Sequence, residues 1–120
     1  MVETWGTIDS SAEVATTHIG VNVYTYDAWM RSVGIPVHTG FFISDLRTAE
    51  LAWWEERKCQ AAFIQLMGQE GIIEARISEI PPGESLPPLK LSVDEVVYVV
   101  DGRGLTTVWG AGDSRRQTVE

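Results

Sequence analysis

Beyond residue 40 the apolar positions fall in short runs bounded by polar and turn-forming residues, the pattern of successive strands. GFFIS, TAELAWWEE, QAAFIQLM, IIEARISEI, EVVYVVD and LTTVW are short runs rich in β-branched and aromatic residues, separated by punctuation such as GQEG and PPGE. Regular spacing of this kind predicts an all-β sandwich or barrel. In IIEARISEI, Ile73, Ala75 and Ile77 share one parity and Glu74, Arg76 and Ser78 the other, which predicts a half-buried strand with its isoleucines inward. EVVYVVD is apolar on both faces over residues 96–100. It is therefore expected inside a sheet, or covered on its outer face by the amino-terminal arm or a second subunit. Asp101-Gly102 favours a tight turn, because both central positions of such a turn take positive φ, and predicts a hairpin from Glu95 to Trp109. RRQTVE, residues 115–120, reads as a further strand whose edge needs a partner chain or more of the same protein.

Ahead of these runs the pattern changes. Residues 1–17 are polar and rich in Ser, Thr and Glu without either period, as expected of a flexible arm in front of a domain at 18–120. GVNVYTY alternates Val21, Val23 and Thr25 against Asn22, Tyr24 and Tyr26 and reads as extended. Asp27 is placed to cap a short helix over 28–33, whose exit is marked by Gly34 and Pro36.

Composition narrows the classes of function. A chain of 120 residues holds one comfortable domain, and 44% hydrophobic with 22% charged residues is ordinary for a globular protein. Seventeen acids against nine bases give a formal charge of -8, which repels phosphate backbones and argues against nucleic-acid binding. Without a basic-then-apolar leader or an apolar run of ~20 residues, the expectation is a cytoplasmic protein that does not enter membranes. The single cysteine, Cys59, forms no internal disulfide.

The stretch PPGESLPPLKLSVDEVVYVVDGRGLTTVW, residues 81–109, carries the chemistry. Gly83, Glu95 and Gly102 stand at the spacing of a motif of glycine, two histidines, glutamate and glycine, and the run ends in TTVW. In this it resembles the first motif of the cupins, with weaker likeness back to Gln60. The two histidine positions are occupied by Leu89 and Leu91, and nothing after Trp109 supplies the second motif, with its proline, glycine and further histidine. The resemblance implies a double-stranded β-helix, or jelly-roll, barrel with Leu89, Leu91, Glu95 and Val97 directed into the lumen. It also implies a metal site for Fe, Mn, Ni or Zn from which the imidazoles are missing, leaving Glu95 as the one ligand of that set on this strand.

A leucine offers no lone pair, and affinity for first-row divalent ions depends on gathering several ligands. The resulting expectation is a cupin-like protein with no assigned catalytic residue and no cofactor, binding a small molecule in its barrel or acting through oligomerisation. The competing expectation is a metal-dependent dioxygenase or isomerase whose other ligands come from His18, His38 or a missing carboxyl-terminal part. A third is a truncated product without an independent role. Trp53 and Trp54, adjacent in a strand-like run, should face opposite sides. An exposed tryptophan there would anchor a homodimer interface.

Overall fold

The computed structural model describes residues 23–68 and 72–120. The arm expected over 1–17, His18 and the start of the segment expected to be extended lie outside the described residues. Two compact units divide the chain, Met1–Leu89 and Lys90–Glu120.

In the first unit, helix α1 spans Val23–Ser32. Its apolar side chains Tyr26, Met30 and Val33 recur at three- and four-residue steps, the helical period, and all three pack into the core. That burial overrides the alternation in GVNVYTY, so residues 23–26 are helical rather than extended. Asp27 is an internal helix residue, not a cap, and accepts a hydrogen bond from Gln65 Nε2 at 3.1 Å. The exit is where the sequence places it. Val33 N still bonds to Trp29 O at 3.2 Å, and Gly34 then takes φ 80, a left-handed conformation that glycine adopts without a Cβ clash.

Four strands follow: β1 (Val37–Gly40), β2 (Ala52–Trp54), β3 (Cys59–Leu66) and β4 (Ala75–Glu79). A 3₁₀ turn at Leu46–Thr48 lies between the first two, with Asp45 Oδ1 accepting from Arg47 N at 2.9 Å. Strand β3 is the hub. Phe63 pairs with Val37 of β1 in parallel and with Arg76 of β4 in antiparallel, while Ala61 pairs with Ala52 of β2 and Ser78 of β4. Each backbone has two edges, so β1 and β2 lie end to end along one edge of β3 and β4 runs along the other. GFFIS is not a strand: only Gly40 belongs to one, and Phe41 and Phe42 are exposed.

Paired residues in adjacent strands point to the same side of a sheet. Cys59, Ala61 and Phe63, all fully buried, therefore share a face with Trp54 and Val37, and α1 covers it. Three edge-on or tilted ring contacts, Trp29 to Phe63 at 5.5 Å, Trp29 to Trp54 at 6.3 Å and Trp54 to Phe63 at 5.3 Å, form its centre. Contacts of this kind contribute ~0.5–1.5 kcal/mol each beyond burial. The two faces of β4 are covered unevenly. Arg76, paired with Phe63, is half-buried on the α1 side, while Ser78 on the same parity is exposed. On the opposite face Ala75 and Ile77 are half-buried, with Ile77 paired to the fully buried Ala62, as the alternation expects, and Ile73 is exposed outside the strand.

The second unit contains one hairpin of β5 (Thr106–Val108) and β6 (Gln117–Val119). Its turn closes with Asp113 N donating to Gly110 O at 3.1 Å, and Gly112 supplies φ 77. Thr107 and Thr118 share a hydroxyl hydrogen bond of 3.1 Å on one face, and Arg116 stacks over the Trp109 ring at 4.9 Å. The expected hairpin from Glu95 to Trp109 is not formed. Asp101-Gly102 makes a local bend, with Gly102 N donating to Asp101 Oδ1 at 2.8 Å, and residues 91–100 contain no strand. The strand LTTVW instead pairs forward with RRQTVE. The fold is mostly β with one helix, and among the described residues its sheets, of four and two strands, are open.

Candidate functional site

The residues that the cupin resemblance singles out do not form a lined cavity in either unit. Leu89 is 44% exposed at the end of the first unit; Leu91, Glu95 and Val97 are exposed in the second. No strand spans residues 89–97, so the shared parity that would aim them at one lumen is not imposed by a ladder. His38 sits in β1 with Nε2 against the Glu50 carbonyl oxygen at 2.8 Å. Among the described residues, no group of three or more His, Cys, Asp or Glu is arranged to hold a metal ion.

Trp53 and Trp54 do split across the sheet. Trp54 is 5% exposed and packed on Phe63, whereas Trp53 is 48% exposed and donates from Nε1 to Glu55 Oε2 at 2.6 Å. Glu55 also pairs with Lys58, and these two bonds, the lysine first, hold its carboxyl below the ordinary range. The pair is solvated and contributes little to stability.

A polar cluster where α1 meets β4 had no signature in the sequence. The Tyr26 hydroxyl is sealed from solvent without a hydrogen bond of ordinary geometry. Burial is the main reason its pKa rises, and the Glu74 carboxylate adds to the shift. Arg76 Nη1 holds Glu74 Oε1 at 2.9 Å. Nearby in the same face, burial also pushes the Cys59 thiol up, against the lowering influence of Ser78, Arg57 and Arg76. A phenol and a thiol held neutral are poor bases and poor nucleophiles at neutral pH. The cluster's parts come together only through the Phe63↔Arg76 register, which lies beyond local pattern reading.

The second unit presents a different kind of site. Ten large apolar side chains between Leu91 and Val119 are exposed, among them Val96 at 95% and Tyr98 at 84%. Every residue of Lys90–Glu120 except Val100 is exposed, so the unit has no core of its own. Comparison with family models, with curated proteins and with solved structures returns no match to this chain. The described residues contain no helix long and apolar enough to cross a membrane.

Proposed function

We propose that this chain is a cupin-like module without catalytic metal chemistry, whose working surface is the apolar strand-forming segment within Lys90–Glu120. The observation that carries the reading is the exposure of Val96, Val97, Tyr98 and Val99, together with Leu105, Val108 and Val119. An isolated two-stranded hairpin is marginal in water, and three or more strands with a covered apolar face are needed for stability. Segments of fewer than about 40 residues need a partner, a metal or a disulfide to stay folded. This unit has 31 residues, and the chain's one cysteine, Cys59, lies in the other unit. Association is one source of stability open to a jelly-roll arrangement of these strands.

The non-catalytic half of the reading rests on Leu89 and Leu91, which stand at the imidazole positions of the motif that Gly83, Glu95 and Gly102 otherwise keep. One carboxylate does not gather a first-row metal. Elemental analysis of the protein purified without added metal tests this. Traces well below one equivalent are expected, and one equivalent of Fe, Mn, Ni or Zn per chain would overturn it.

A further inference from the structure

We infer that Asp101 is a site of spontaneous covalent modification, closing with Gly102 to a succinimide ring and reopening as isoaspartate. A contact between the two neighbours carries this. Gly102 N donates to Asp101 Oδ1 at 2.8 Å, so the amide nitrogen already stands beside the carboxyl group whose carbon it must attack. Asp45 and Asp113 hold their carboxyls differently. Each accepts from the N–H two residues on, Arg47 N at 2.9 Å and Arg115 N at 2.8 Å, in the manner of an Asx turn, which draws the carboxyl past the amide that ring closure would need. Asp27 Oδ1, within α1, accepts from Gln65 Nε2 at 3.1 Å.

The residue after Asp101 removes the usual obstacle. Ring closure swings the next peptide nitrogen toward the side chain, and a Cβ on that next residue crowds the approach; glycine has none. The place a Cβ would take at Gly102 has no heavy atom within 4 Å, and both residues are exposed outside any strand or helix. Nothing packed around the bend resists the rotation. The reaction balances within the chain and water. Gly102 N bonds to Asp101 Cγ, and the carboxyl hydroxyl leaves with the amide proton as water. Water then adds to one of the two ring carbonyls. Opening at Cγ restores aspartate, whereas opening at the backbone carbonyl of Asp101 leaves the chain running through Cβ and Cγ. Nothing is oxidised or reduced. The product keeps the original mass, gains one backbone carbon ahead of β5, and carries a free α-carboxylate, the group that a methyl-transferring enzyme of the isoaspartyl class esterifies. The chemistry needs only this bend and makes no use of the proposed association.

Peptide mapping of the full chain, aged for several weeks in warm neutral buffer, tests the inference. Trypsin releases residues 91–103, which hold Asp94 and Asp101, and residues 104–115, which hold Asp113 for comparison. A second form of peptide 91–103, unchanged in mass, should separate on chromatography and grow with time. Electron-transfer fragmentation should place its isoaspartate at position 101, and isoaspartyl methyltransferase with a labelled methyl donor should mark it, while peptide 104–115 stays a single species. Asp101→Glu keeps the charge but would have to close a larger ring, and should abolish the second form. Asp101→Asn offers an amide, a better electrophile than a carboxylate, and should pass through the same ring faster, exchanging ammonia for water. Both variants change an exposed bend and leave the buried core untouched. A peptide 91–103 that remains one species throughout would overturn the inference, as would a second form located at Asp94 or one that persists in Asp101→Glu. Retention of the amide in Asp101→Asn would overturn it too, by showing that the bend cannot close.

Discussion

Two apolar runs of this chain invite comparison: AAFIQL within β3 and VVYVV at residues 96–100. The second has the stronger intrinsic preference for extended structure, being β-branched or aromatic throughout, while the first carries two alanines. Yet β3 is paired on both edges and buries Ala61, Ala62 and Phe63 completely, while the valine run lies in no strand and its Val96, Val97, Tyr98 and Val99 are exposed. The difference shows that a strand is made by its neighbours. Alanine serves in β3 because a helix and two flanking strands cover it closely; at 96–99 a strong strand preference alone makes no strand.

Substitutions should separate the two runs. The largest effect is expected from Phe63→Ala, which opens a cavity beneath Trp29 and Trp54 and should cost ~3–5 kcal/mol. Tyr98→Ala, at 84% exposure, should change the unfolding free energy of the first unit by less than ~0.5 kcal/mol. Urea unfolding followed by tryptophan fluorescence measures both, and equal losses would erase the distinction between the runs.

A smaller, pH-dependent effect belongs to Tyr26. Its pKa is raised in the folded state, so its proton is held more tightly there than in the unfolded chain. Its contribution should therefore be constant at neutral pH and decline as pH rises above the ordinary tyrosine value of ~10. Tyr26→Phe should remove that part of the alkaline slope at little or no cost near pH 7, because the hydroxyl it deletes has no hydrogen bond of ordinary geometry. A large loss of stability at pH 7 would instead show that the hydroxyl is firmly bonded. The smallest effect is expected from Glu55→Gln. It breaks a solvated contact with Lys58 and should leave the urea midpoint unchanged.

Much of the strand content was legible because short apolar runs and turn residues are local signals. β2, β4, β5 and β6 each fall inside a run marked by its composition, β3 starts one residue ahead of its run, and the opposed fates of Trp53 and Trp54 follow from pleat geometry alone. What escaped was pairing. Asp101-Gly102 has the composition of a hairpin turn, but it bends through a side-chain contact of its own, and GAGD closes the hairpin instead, with a glycine at the position that takes positive φ. Period two separates the two faces of β4 and places Ala75 and Ile77 on a half-buried one, but it does not foretell that Arg76 on the other face is half-buried as well, beside Phe63. The start of α1 was misread because Val21, Val23 and Thr25 carry a strand-like pattern, while the contacts that favour helix run from Tyr26 to residues far along the chain. The candidate site was the least legible part. The motif spacing marks Leu89, Leu91, Glu95 and Val97, whereas the apolar exposure around residues 96–100 is a property of pairing that no spacing records.

Hydrogen exchange of the full chain at low and high protein concentration tests the central claim most directly, by comparing backbone amides of β3 with those of residues 96–100. The account predicts strong protection in β3 at both concentrations and weak protection of residues 96–100 at the low one. Protection of residues 96–100 equal to that of β3 and independent of concentration would contradict it.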